Sequence, residues 1–294
     1  MRGPVAWFRD PWRKPRVLMF STWVYISWSL VPVAFAVMES FTAGRSSASM
    51  NGFSFQYWYG SPGGDPQGSL FTDPAAHSAI YQTIWLSIIT MAIAVPLGVA
   101  FAIALDRWHG RPARGSNFLM LVSFVVPEII IGVALYLFFT HVFTAFSTLG
   151  TTPQIIGLVA FQISYPVIVV RARLLSIGPE FEEAAMDLGA PPRQALRRIL
   201  LPMLYPAIFA SFALVFADVV DDFVTVRYLS SNGSETLSLK IYESLHANPS
   251  PEYNAAATLL LGITVIGGSI IYLIYRWFTK GQSAGGAAEF VAGV

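Results

Sequence analysis

The chain has 294 residues and a net charge of +1, with 54% hydrophobic and only 12% charged residues. A soluble domain carries roughly 25% charged residues, so this chain lacks the polar surface that water demands, and its near-zero net charge offers no bulk attraction to nucleic acid. It has no cysteine, which excludes disulfides, thiolate metal sites and cysteine nucleophiles.

A bilayer core about 30 Å thick is crossed by about 20 apolar residues in a helix, and backbone groups in lipid must be satisfied within the segment, so apolar runs of that length are predicted helices. Residues 1–16 form a basic leader to the first such run, Val17–Met38, which holds no charge. Ala34-Phe35-Ala36 mimics a signal-peptidase site, but a signal core spans only about 7–15 residues, and an uncleaved anchor is expected. A long loop, Glu39–Gln82, follows. Its aromatic stretch Gly52–Tyr59 suits a membrane interface, and Gly60–Gly64 reads as turn.

The second span is Thr83–Leu105 and the third Phe118–Phe139. Glu128 lies about ten residues into the third, hence near mid-bilayer at about 1.5 Å per residue, and Pro127 before it is expected to free a carbonyl one turn back. The fourth span is Thr151–Val170. The fifth, Leu204–Val226, carries Asp218, Asp221 and Asp222 in its outer part, on one face at i, i+3 and i+4. An outer loop, Arg227–Asn254, leads to the sixth span, Ala255–Tyr275, and residues 279–294 are a Gly- and Ala-rich end expected to be flexible.

Six spans put both termini on one side, which then holds 15 of the 18 Lys and Arg residues, with Arg45, Arg227 and Lys240 opposite. The positive-inside rule makes the basic side cytoplasmic. The loop Arg171–Met203 lies there and holds two short helices. Glu180–Leu188 starts behind Pro179 with acids in its first turn; Gly189 turns the chain; Arg193–Leu200 follows Pro191-Pro192, and Pro202 closes it. Periodicity alone fits an interfacial hairpin that pads the bilayer equally well.

Each intramembrane carboxylate costs roughly 2.5–3.5 kcal/mol on insertion scales. Glu128 and the three aspartates could line a wet path for a cation. The alternative places Asp221 or Asp222 among headgroups near Arg227, with Glu128 capped by a neighbouring subunit. No glycine-rich phosphate loop, His-Glu-x-x-His or Gly-x-Ser-x-Gly occurs. His77, His109, His141 and His246 fall at or beyond span ends and read as solvated residues. A secondary transporter would show broken paired repeats, which are absent, and an intramembrane aspartyl protease needs aspartates on two spans.

Glu183-Ala184-Ala185, then Gly189, then Ile199-Leu200-Leu201-Pro202 resemble the EAA loop of ABC importer permeases. Val126–Leu135, Asp221-Asp222-Phe223, Ser234–Leu237 with Ile241-Tyr242, and Asn254–Leu260 are similar to the spermidine/putrescine permease subfamily. The likeness runs from about Thr83 to Trp277; it is weak in the first span and the outer loop, where Gly60–Gly68 looks like an insertion.

The resemblance implies an all-α membrane protein of the type I ABC importer permease fold, with six transmembrane helices over 17–278 and a coupling-helix hairpin at 171–203. It implies ATPase coupling through Glu183, Ala184, Ala185, Asp187, Gly189, Ile199 and Pro202, and a polyamine path through Glu128, Asp218, Asp221 and Asp222. Glu183 would face a basic group on the ATPase. Implied partners are two ABC ATPase subunits carrying ATP and Mg, a second permease expected to be a different chain, an extracytoplasmic binding protein and membrane lipid. No cofactor, metal or covalent chemistry is expected of this chain itself. The implied location is a bacterial inner membrane, with both termini cytoplasmic. Relatives of this architecture carry opine-like compounds, ferric iron or oxyanions as well; the carboxylates favour a cation, since an oxyanion path would want basic or N–H donors.

Overall fold

The computed structural model describes residues 16–43, 52–60, 69–108, 110, 115–116, 118–120, 122, 125–143, 149–247 and 252–292, with backbone alone at 16–17 and 280–292. The basic residues before Arg16, together with Arg45, His109, Arg111, Arg114 and all but Gly60 of the expected insertion Gly60–Gly68, lie outside the described residues. Regular structure among the described residues is helical, apart from one isolated antiparallel bridge between Thr42 and Phe53.

Helix α1 covers Arg16–Glu39 and packs along the last helix. Its side chains from Leu18 to Phe35 are exposed, Trp23 and Trp28 among them, the surface a helix presents when lipid is the solvent. The outer loop folds on itself around the single turn α2, Gln56–Tyr59. Phe41 stacks on Phe53 and Trp58 at centroid distances of 5.4 and 5.5 Å, and Trp58 Nε1 donates to Ser40 O at 3.1 Å. The aromatic run is thus partly self-packed, while Phe53, Phe55 and Tyr59 stay exposed.

Helix α3, Pro74–Arg107, starts at Asp73, whose carboxylate accepts from Ala75 N and Ala76 N at 2.9 and 3.2 Å, with Pro74 in the first turn. Its 34 residues span roughly 50 Å at about 1.5 Å per residue, more than a bilayer core. Helix α4, Glu128–Leu137, passes into a π turn, Phe138–Val142. Helices α5, Thr151–Gln162, and α6, Ser164–Ile177, meet at Ile163 without leaving helical geometry. Then come α7, Glu180–Asp187; α8, Pro192–Ala195; a π turn, Leu196–Leu200; α9, Leu201–Asp221; α10, Val224–Leu229; α11, Leu237–Ala247; and α12, Glu252–Ala292. Helix α12 carries helical backbone into the end that was expected to be flexible; its alanines there are strong helix formers.

Among the described residues five helices are long and apolar enough to cross a membrane: Leu18–Glu39, Pro74–Arg107, Thr151–Ile177, Pro192–Asp221 and Glu252–Thr279. The chain is a multi-pass, all-α membrane protein. The expected third span is divided, because Pro127 sits in extended geometry (ψ 134°) ahead of the shorter apolar helix Glu128–Val142. A proline also drives the residue before it away from helical ψ.

The core joins α3, α6 and α9. Leu86, Val95, Val99 and Leu105 of α3 meet Val167, Val170 and Leu174 of α6 and Leu204, Val215 and Val219 of α9. At Gly98 a Cβ would fall 2.3 Å from Pro166 Cγ, so glycine sets how closely α3 and α6 approach. Near the start of α3, buried polar groups pin loops to this core. Gln82 Nε2 donates to Gln154 Oε1 at 3.0 Å, Gln154 Nε2 donates to Ser234 O at 2.9 Å, and Leu237 N donates to Thr83 Oγ1 at 2.8 Å.

Candidate functional site

The three aspartates arrive by different local routes. Asp218 and Asp221 sit in the last turn of α9, and Asp222 ends the helix with ψ 109°. Asp222 Oδ1 then accepts at 2.8 Å from Thr225 N in the first turn of α10. The expected shared helical face therefore holds for Asp218 and Asp221 but ends before Asp222. Glu128 is likewise placed differently from the sequence expectation. It is the first residue of α4, with Pro127 at the cap and the Pro127 carbonyl taken by Ile130 N and Ile131 N. Proline's missing N–H breaks the helix there instead of kinking it.

All four carboxylates nevertheless line one cavity of about 980 Å³. Its walls come from α1 (Pro32, Val33, Ala36, Val37), α6 (Tyr165), α9, α11 (Ser238, Ile241, Tyr242, Leu245) and α12 (Ala257, Thr258, Leu261). Among the described residues that line it there is no Lys, Arg or His. Asp218 is held by Gln162 Nε2, donating to Oδ2 at 2.5 Å, and by the Tyr165 hydroxyl, donating to Oδ1 at 3.3 Å. Phe223 and Tyr242 stack at 4.5 Å and 18° on the cavity wall. Apolar and aromatic surface with fixed, unmatched negative charge suits a flexible cation: the chain lies on the rings and its charged groups meet carboxylates. Arg227 lies 3.9 Å from Glu243 and over the ring of Tyr242.

Sequence reasoning missed Gln162, Tyr165 and the whole of α11. One signal for α11 was available: Leu237, Ile241 and Leu245 recur at helical spacing behind Thr236, whose Oγ1 accepts from Leu239 N at 3.4 Å.

The second candidate site is the hairpin at 171–203. Helix α7 has acids at Glu180, Glu182 and Glu183 in its first turn and no buried residue. Glu183, Ala184 and Asp187 are exposed, Ala185 is half-buried, and Phe181 and Leu188 add exposed apolar surface. A helix that leaves such surface open is shaped for a partner. Gly189 adopts φ +88° with open space where a Cβ would stand, so its requirement is conformational. Glu182 pairs with Arg107 Nη2 at 2.6 Å, tying α7 to the end of α3.

The second arm differs from its expected form. Pro202 does not close it: helical structure runs without a break from Pro192 to Asp221. The π turn carries the chain past the proline, with Leu201 N–H bonded to Leu196 O, and a π turn's wider ring accommodates a residue that breaks the α-helical ladder. Ile199 and Pro202 are half-buried within this continuous segment, and Leu200 is anchored in the core.

Comparison with known proteins agrees with this architecture. The family described as binding-protein-dependent transport system inner membrane component matches residues 94–283. The putrescine transport system permease protein PotI of Escherichia coli K12 is 33% identical over 275 residues, covering 91% of this chain and 92% of that one. The spermidine/putrescine transport system permease protein PotC of the same strain is 28% identical, covering 90% and 95%. Among solved structures, a bacterial ABC transporter involved in import of the acidic polysaccharide alginate superposes with a TM-score of 0.70 at 17% identity, over 90% of this chain and 96% of that one. The MetNI methionine ABC transporter gives 0.59 at 18% identity, over 67% and 93%.

Proposed function

Because the chain belongs to the family of binding-protein-dependent transport system inner membrane components, we propose that it is the permease subunit of an ATP-driven importer of polyamines such as putrescine or spermidine. The observation that carries the cargo assignment is the one cavity that gathers Glu128, Asp218, Asp221 and Asp222 with no basic side chain among the described residues that line it. Carboxylates in a membrane without countercharge are costly, and a polyamine, a flexible chain bearing several ammonium groups, supplies that countercharge in transit. The relatives named for putrescine and spermidine transport support the same cargo.

In this proposal residues 17–278 form the membrane domain, residues 1–16 and 279–294 lie in the cytoplasm, and the hairpin at 171–203 docks on the ATPase. Two ATPase chains hold ATP and Mg, a second permease chain completes the pore, and an extracytoplasmic binding protein delivers cargo. The chain itself binds no cofactor. Glu183, Ala184, Ala185, Asp187 and Gly189 form the docking surface, while Ile199 and Pro202 belong to the stem that carries its movement into α9. ATP binding shifts the population toward an outward-open pore, and hydrolysis returns it.

The test is the full importer reconstituted in vesicles. Polyamine-loaded binding protein is expected to stimulate ATP hydrolysis and drive labelled polyamine uptake, and the Asp218→Asn/Asp221→Asn variant to lose uptake. Stimulation by another ligand but none by polyamine would keep the importer and discard the cargo assignment.

A further inference from the structure

A smaller pocket adjoins the acidic cavity. It has a volume of about 310 Å³ and is lined by Arg227, Tyr242, Glu243 and His246. Tyr242 lines the acidic cavity as well, so its ring is a wall shared by the two. The ring is fixed on several sides: Phe223 stacks on it at 4.5 Å, His246 lies 4.4 Å from it, and His246 Nδ1 is 2.8 Å from the Tyr242 carbonyl. The guanidinium carbon of Arg227 stands 5.2 Å from the ring centroid, and Nη1 is 3.9 Å from Glu243 Oε1.

An aromatic face beside a carboxylate is the chemistry that receives an ammonium group. Here a cation of the protein's own already sits on it. The hold is weak, since both side chains of the ion pair are about half exposed (48% and 50%) and the pair lies at the outer limit of contact. A fixed positive charge beside a path for cations would repel the cargo if it could not move.

We propose that the pocket of Arg227, Tyr242 and Glu243 is an entry site for the ammonium groups of the cargo, with Arg227 as its resident stand-in. When cargo arrives, Arg227 swings off, an ammonium group takes the Tyr242 ring and Glu243, and Tyr242, which lines both pockets, passes it to the acidic cavity. The site rests on the polyamine reading above and extends it from the cavity to its entrance.

The two partners of this ion pair then have opposite effects on uptake. In the reconstituted importer at saturating polyamine-loaded binding protein, Arg227→Gln is expected to raise initial uptake about threefold and Glu243→Gln to lower it about threefold, the size of one weak exposed contact. Arg227→Lys stays near wild type. A purely structural pair predicts that both neutral variants fall together, and that outcome, or no change in either, overturns the entry site while polyamine uptake by the wild type stands. A wild type that hydrolyses ATP but moves no polyamine overturns the cargo reading and the entry site together.

Discussion

Gln162 and Asp218, on α5 and α9, are joined by an N–H···O bond of 2.5 Å, and the buried Oε1 of Gln162 has no hydrogen-bond partner among the described residues. The glutamine amide therefore acts on Asp218 through its N–H alone. With the Tyr165 hydroxyl at the other oxygen, it fixes the direction in which the carboxylate meets the cavity. Gln162→Leu removes the donor and leaves Asp218 with Tyr165. A hydrogen bond to a charged group contributes about 1.5–3 kcal/mol, so a lower melting temperature of the detergent-purified complex and slower uptake are both expected. Asp218→Asn keeps the volume, removes the charge and turns one of the two acceptor oxygens into a donor; uptake should fall about tenfold or more. Equal uptake by Asp218→Asn and wild type would take Asp218 out of the path.

Glu183 tests the other end of the molecule. It is exposed on a helix with no buried side chain, so Glu183→Ala should change stability by less than about 0.5 kcal/mol. The expected loss is functional: loaded binding protein no longer stimulates ATP hydrolysis. Glu182→Ala is the control, because its carboxylate is already engaged by Arg107 at 2.6 Å and not free for a partner. That change should loosen the hairpin and leave a reduced but present stimulation. If Glu182→Ala abolished stimulation while Glu183→Ala preserved it, the docking role would move to the wrong neighbour and the assignment of Glu183 would be lost.

The membrane helices were legible because lipid imposes a length and an apolar composition that few other environments require. Less legible was where prolines break a helix. Pro32, Pro96 and Pro206 all lie inside helices, whereas Pro127 stands in extended geometry at the cap of α4. The carboxylates announced themselves by their cost in a membrane. The partners of Asp218 did not, since Gln162 stands 56 residues away and no periodicity links them. Helix α11 was hidden by composition: Lys240, Glu243 and His246 gave its segment the polarity of a loop, although its apolar residues keep helical spacing.

Two glycines separate conformational cost from steric cost. Gly189 has φ +88° and nothing near its missing Cβ. Gly189→Ala should therefore cost about 1 kcal/mol, the penalty of left-handed backbone for an L-residue, and should weaken coupling by changing the angle between α7 and α8. Gly98 has ordinary helical backbone but faces Pro166 at 2.3 Å. Gly98→Ala overpacks the α3–α6 contact at a cost of about 1–3 kcal/mol. Thermal melts of the two variants, with ATPase stimulation measured in parallel, should show Gly98→Ala as the larger loss of stability and Gly189→Ala as the larger loss of coupling per degree.

The π turn at Leu196–Leu200 makes the hairpin and α9 one piece, from Pro192 to the aspartates at its far end. A rigid stem can pass a rotation of the docking hairpin to Asp218 and Asp221, which a flexible joint would absorb. The turn contains one residue more than an α-helical turn needs. Deleting Ile199 should remove the extra residue, place Pro202 in an α-helical ladder that it breaks, and disturb the register in which the hairpin meets α9. Leu204, Val215 and Val219 stay anchored in the core, so the complex should still assemble, while stimulated ATP hydrolysis and uptake are lost. Inserting one alanine after the deletion point restores the register and should recover both activities. A deletion variant that keeps wild-type coupling would show that the hairpin's motion reaches the cavity by another route, such as the Arg107–Glu182 contact to α3.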